Sequence, residues 1–304
     1  MQLHATDIAE TYAAAVSSFL DAEPVQRNVL RSVMEQALSG GGGWSAPPGF
    51  WWIVDKGAVV AAASWTPPWP LLVSDIPEGA AAHLATAALH RGRRLGVDLP
   101  GVTGPAREAR AVAEAAARDA GARVEEHHRL IVHELGALVD VPRPPGAARR
   151  ADAAEAATVA AWMRAFSAET DVPAISSDAD ATVRAWLARG FTWVWVHDGE
   201  PRSTATQYVA GGVARVLAVY TPPEHRGRGY ARRLVQEVSA MALRTQGIKG
   251  CTLNTDAANT VANAIYRQIG YVPVAEHAQY DLLDSRASGH ARAGATHEGR
   301  VAGR

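Results

Sequence analysis

The chain has 304 residues, of which 48% are apolar and 20% charged, and its formal net charge is −1. A domain usually takes about 100 to 200 residues, so two domains are predicted; near-neutral charge without long like-charge blocks argues against nucleic-acid or polybasic membrane-binding surfaces. The single cysteine, Cys251, excludes an internal disulfide and a Cys-rich zinc site. The opening Met1 to Ala5 has neither the basic nor the apolar region of a signal peptide, and no apolar run reaches bilayer length, so a cytoplasmic protein is expected.

Apolar residues at helical spacing (Ile8, Tyr12, Ala15, Val16, Phe19) predict a helix over 6–20, and a second is predicted over 25–38. The four glycines 40–43 read as a loop, because they have no side chains to pack. Strands over 50–54 and 59–65, joined by Asp55-Lys56-Gly57, predict a hairpin. Helices follow near 80–90 and over 106–120, the latter stopped by Gly121, and then a strand over 129–135. The segment Val141-Pro142-Arg143-Pro144-Pro145-Gly146 lacks three backbone donors and cannot continue a helix, so it marks the predicted domain boundary.

Beyond that boundary a helix is predicted over 151–166, and another starts at the N-cap signal Ser177-Asp178 and ends at Gly190. The turn Asp198-Gly199, with strands over 192–196, after Arg202 and over 214–219, predicts an antiparallel meander. Helices over 231–245 and 259–269 alternate with strands over 250–254 and 272–283. Residues 285–304 have almost no large apolar side chain, and disorder is expected there.

The most informative stretch runs from Val216 to Ala231, where a strand feeds Arg226-Gly227-Arg228-Gly229-Tyr230-Ala231 at the start of an amphipathic helix. Glycines at a helix start let the backbone approach an anion, and the free N–H groups there point at it. Two other readings exist: a surface turn with solvated arginines, and a dinucleotide fold. The latter wants a tight strand-to-glycine turn and an acid about 20 residues on, but Thr221 to His225 intervene and Asp256 lies too far along.

This segment resembles motif A of the GNAT acyltransferase superfamily, Q/R-x-x-G-x-G/A, with Arg226, Gly229 and Ala231 at its fixed positions. The resemblance implies an acetyl-CoA site in which the amides of Arg226, Gly227, Arg228, Gly229, Tyr230, Ala231 and Arg232 hold the diphosphate. A bulged strand end at Val219, Tyr220 and Thr221 would pair with the pantetheine arm. Asn254 to Tyr271 resembles the family's motif B, in which Asn259 opens a helix and Tyr266 follows two turns later on the same face. It implies Asn259 as a pantetheine contact and Tyr266 as the acid that protonates the leaving thiolate; by itself Tyr266 also reads as a core aromatic.

The expected fold is therefore α/β (α+β), with two GNAT-like domains, each a mixed, mostly antiparallel sheet flanked by helices. Residues 1–140 would form a degenerate half without a phosphate loop, 141–285 the catalytic domain and 286–304 a tail. The expected reaction is direct acetyl transfer to a small-molecule amine, with no metal, nucleic acid or membrane partner. The alternative is a CoA-binding sensor or scaffold without turnover. An alkylammonium with pKa near 10.4 is only on the order of one part in a thousand neutral at pH 7, so a base would help; Glu169, Asp171 and Glu224 are candidates that read as loop carboxylates.

In the first half, Ala63 to Pro68 echoes Ala218 to Pro223, which suggests an internal duplication. Trp44, Trp51, Trp52, Trp65 and Trp69 read as a packed core, or alternatively as an aromatic acceptor pocket. His127, His128, His133 and Glu134 do not make a metal site, because a strand turns His128 away from the other two histidines. Cys251 reads as a small buried hydrophobe.

Overall fold

The computed structural model describes residues 1–170 and 178–284. In chain order the elements are β1 (Gln2–Thr6), α1 (Ala9–Ala22), α2 (Asn28–Leu38), β2 (Gly49–Asp55), β3 (Ala58–Trp65) and β4 (Leu71–Val73), then α3 (Ala81–Leu95), β5 (Gly101–Pro105), α4 (Ala106–Ala120) and β6 (Ala122–Leu135). After the Pro-rich segment come β7 (Ala147–Arg150), α5 (Ala156–Thr170), α6 (Ala179–Ala188), β8 (Thr192–His197), β9 (Glu200–Ala210) and β10 (Val213–Tyr220), then α7 (Tyr230–Leu243), β11 (Gly250–Asp256), α8 (Thr260–Ile269) and β12 (Tyr271–Asp284). Among the described residues, the order β-α-α-β-β-β-α-β-α-β thus occurs twice, once on each side of the Pro-rich segment.

The pairing repeats as well. In β1-β2-β3-β4-β5 the first three neighbours are antiparallel and β4-β5 is parallel. In β7-β8-β9-β10-β11 the same three antiparallel pairs precede the parallel pair β10-β11. This is the mixed, mostly antiparallel α/β architecture expected for the family.

The compact units interleave the two repeats. The first holds residues 1–8, 43–128 and 278–284 of the described chain, and the second holds 9–42 and 129–277. In the second unit β11 pairs antiparallel with the end of β6, Thr252 opposite Glu134 through Asp256 opposite Leu130. In the first unit the end of β12 lies against the start of β5, where the Leu282 amide donates to the Pro100 carbonyl at 2.9 Å. The last strand of each repeat therefore completes the unit built mainly from the other.

The first unit's core gathers Trp51, Trp65, Leu71, Leu84 and Val102 with the alanine faces of α3 and α4. Trp51 and Trp65 belong to that core, and the Trp65 indole donates to the Trp69 carbonyl at 2.8 Å, as the packed-core reading expects. The second unit's main core joins Trp195, Val216, Leu234, Val238, Leu253 and Ile269. A smaller cluster there unites Val25, Val132 and Val213, with Val274 and Ala275 packed against it.

Several expectations are corrected. Thr6 ends a strand, and the first helix starts at Ala9. Strands β1, β4, β5 and β7 were not anticipated: each is three to five residues long, and β5 contains Gly101, Gly104 and Pro105, residues that read as breakers. Gly101 is there because a Cβ would collide with the Tyr280 carbonyl oxygen. The helix expected from 151 starts at Ala156, behind a short turn in which Asp152 and Glu155 form a capping box. The echo between 63–68 and 218–223 matches β3 with β10, whereas β4 is the counterpart of β10 in element order. The tail expected to be disordered lies outside the described residues.

Candidate active site

The end of β10 is built to leave its backbone open. Leu217 pairs with Thr206 and Tyr220 with Thr204 on β9, so β10 carries one residue more than its partner between these pairs. Ala218, at φ 49°, takes the strain of this bulge. On its other side β10 pairs with β11 only from Val213 to Val216, while β11 continues along β6 as far as Asp256. The parallel pair is therefore unzipped beyond Val216, and residues 217–220 have no ladder partner on the β11 side. An extended amide-bearing molecule can pair there as an added strand would.

A short helical turn at Pro223–His225 leads into the glycine loop. Gly227 and Gly229 both have positive φ, 75° and 80°, a region that costs other residues strain. Gly229 is the N-cap of α7 and its side contributes no capping oxygen. Among the described residues the backbone amides of 227–232 meet no acceptor; the first to do so is Arg233, which donates to the Gly229 carbonyl at 3.0 Å. Six consecutive donors at the positive end of a 14-residue helix form an anion site.

The loop opens into a cleft of about 610 Å³, lined by Phe166, Glu169 and Thr170 of α5, by Val219 to Thr221, by the loop and the start of α7, and by one face of α8. Of the residues singled out from sequence, Val219, Tyr220, Thr221, Arg226, Gly227, Gly229, Tyr230, Ala231, Arg232, Asn259 and Tyr266 all line it. Arg228 is exposed and outside the lining. The Arg226 guanidinium grips Glu169, and Arg232 Nη1 donates to Gln268 at 2.8 Å, while Arg232 Nε meets no acceptor among the described residues, so the loop backbone and this buried N–H face the cleft without a prior partner. The Tyr230 hydroxyl bonds to His197 Nδ1 at 2.7 Å.

Asn259 caps α8: its Oδ1 accepts from the Ala262 amide at 2.9 Å, which leaves its amide nitrogen for another partner. Tyr266 packs edge-to-face on Tyr271 at 6.2 Å and is 9% exposed. Its hydroxyl bonds to no other described residue, and burial pushes it above the ordinary tyrosine range, so it stays protonated. His133, brought in on β6, is fully buried with its ring 6.5 Å from that of Tyr266, and burial lowers its basicity.

The base candidates need correction on one point. Glu169 is the penultimate residue of α5 and Glu224 sits in the short helical turn, so neither is a loop residue; the hydrophobic period ran out at Phe166 because the last helical turn is polar. Asp171 lies outside the described residues. Glu224 is exposed and does not line the cleft. Sequence reading also missed Phe166, His225, Val261, Ala262 and Ile265, although Val261 with Ile265, and Ala262 with Tyr266, stand four apart on α8 and so are neighbours on its surface. Cys251 is fully buried, and burial pushes its thiol up to about 12. Among the described residues no three His, Cys, Asp or Glu side chains gather as a metal site, and no helix is long and apolar enough to cross a membrane.

The acetyltransferase (GNAT) family model matches residues 159–271. A mycothiol acetyltransferase of Beutenbergia cavernae is 30% identical over 158 residues, which are 48% of this chain and 52% of that protein. The chain thus spans about half the length of this curated relative. Among solved structures, a GNAT-family acetyltransferase from Colwellia psychrerythraea superposes with a TM-score of 0.57 at 10% identity, covering 93% of this chain and 99% of that one. A tandem GNAT protein from the clavulanic acid biosynthesis pathway gives 0.51 at 14% identity, covering 92% and 98%. These two likenesses concern the fold.

Proposed function

We propose that the chain, whose residues 159–271 match the acetyltransferase (GNAT) family model, transfers the acetyl group of acetyl-CoA to a small-molecule amine. The observation that carries this reading is the convergence of three features on one cleft: the unpartnered amides of 227–232, the open edge of β10 and the hydroxyl-bearing Tyr266. Their chemistry fits the donor. A diphosphate suits the helix mouth, an amide-bearing pantetheine arm suits the unzipped strand, and a thiolate needs a proton.

The thioester supplies an activated acyl group. The amides of 227–232 hold the diphosphate end, and the backbone of 217–220 aligns the arm so that its sulfur end lies deep between β10 and β11. The amine attacks the thioester carbonyl, and as the C–S bond breaks Tyr266, kept protonated by burial, donates its proton to the departing sulfur; the proton shed by the amine nitrogen passes to solvent, from which the tyrosinate regains one. Asn259 contributes its amide nitrogen to the arm while its oxygen caps α8.

For the acceptor, a single small compound suits a cleft of this size better than a macromolecular strip, given a net charge of −1 without charge blocks. The relative that is a mycothiol acetyltransferase puts mycothiol-related amines first among those to test. Incubating the protein with acetyl-CoA and a panel of amines, read by free thiol release and by mass spectrometry, should show one acetyl group added to an acceptor. Acetyl-CoA binding with no thiol release across a broad panel would support the non-catalytic sensor instead.

A further inference from the structure

We propose that Glu169 is a positioning residue that clasps Arg226 and Tyr220 and so sets the mouth of the acetyl-CoA cleft, and is not the base that deprotonates the acceptor. The inference rests on the acetyltransferase reading and deepens it.

Glu169 is close to the end of α5. Its Oε1 accepts from the Tyr220 hydroxyl at 3.0 Å and from Arg226 Nη2 at 2.9 Å, and its Oε2 accepts from the same Nη2 at 2.7 Å. Arg226 Nε donates in turn to the Thr221 carbonyl at 2.8 Å. The guanidinium also lies over the Tyr220 ring, 5.5 Å from its centroid. Behind them, the Tyr220 carbonyl accepts from Ser203 Oγ at 3.0 Å, which fixes the last residue of the bulged strand to β9.

One carboxylate thus joins three parts of the cleft wall: the end of α5, the end of β10 and the residue that precedes Gly227. Both of its oxygens already accept, Oε1 twice, so taking a proton from an ammonium would break the clasp. The Arg226 charge is likewise spent on Glu169, so Arg226 holds the wall of the cleft and does not serve as the diphosphate's counter-charge. Glu169 and Arg226 are 44% and 47% exposed, and an exposed ion pair contributes little to global stability. Its effect is local: it fixes where the loop amides and the open strand edge stand relative to each other.

Calorimetry and steady-state kinetics on Glu169→Ala, Glu169→Gln and the reversed pair Glu169→Arg with Arg226→Glu test this. In Glu169→Ala, Kd and KM for acetyl-CoA should rise about tenfold while kcat falls less than about threefold. Glu169→Gln keeps an accepting oxygen, so about threefold in KM is expected, and the pH profile of kcat/KM for the amine should keep its shape. The reversed pair should recover part of the affinity lost in either single variant. Overturning results are a Glu169→Gln variant that loses kcat by about 10²-fold together with the acidic limb of the profile, or a Glu169→Ala variant with unchanged KM. Wild-type protein that binds no acetyl-CoA would overturn the acetyltransferase reading together with this one, whereas wild-type binding with unaltered variants overturns the clasp alone.

Discussion

Tyr266→Phe is expected to lower kcat by about 10²-fold or more, the usual range for loss of a general acid, with the acetyl-CoA Kd changed less than about twofold. The substitution removes one hydroxyl that bonds to no other described residue and keeps the ring that packs on Tyr271. Stability should therefore be almost untouched, since no buried partner is orphaned. The pH dependence carries the same signature. The protonated phenol is the active form and burial raises its pKa, so the wild-type rate should not fall on the alkaline side until above the ordinary tyrosine value near 10. A kcat unchanged by the substitution, measured by thiol release at saturating acetyl-CoA, would remove Tyr266 from the chemistry.

A fragment of residues 141–284 is expected to fail to melt as a cooperative unit, although it contains every residue that lines the cleft. The second unit takes α1, α2 and the end of β6 from the first 140 residues. Without them β11 loses the ladder from Leu130 to Glu134, and Val213 loses Val25 and Val132. The Asn28 side chain no longer donates to the Ala210 carbonyl, nor Glu35 Oε1 accepts from the Gly211 amide. Each large apolar side chain uncovered costs about 1.5 to 3 kcal/mol, and several together match the 5 to 15 kcal/mol that typically holds a domain. Calorimetric melting checks this: a sharp transition for the fragment, close in temperature to that of the full chain, would contradict the strand exchange.

The loop and the α8 face were legible in the sequence because their signals are local. Glycines at positive φ before an amphipathic helix, and an asparagine cap seven residues before a tyrosine, sit within short stretches of chain. Much else depends on partners far away in sequence. The bulge at Ala218 and the unzipping after Val216 follow from how β9 and β11 pair with β10, which no local pattern encodes. Short strands such as β4 and β7 have too few residues to show a period, and exist because longer neighbours supply their hydrogen bonds. The Glu169 clasp links residues more than 50 positions apart, and composition alone left Glu169 as one carboxylate among three. The exchange of β6 and β12 is equally invisible, since each strand has the same apolar alternation whichever unit it completes.

The backbone amides of 227–232 are expected to bind the diphosphate of acetyl-CoA. Amide NMR during a titration with CoA tests it directly, with pantetheine, which lacks the diphosphate, as the control. CoA should shift the resonances of these six residues most strongly and protect their amide protons from exchange, and pantetheine should leave them in place. CoA binding that leaves those amides unshifted and still exchanging would contradict the account.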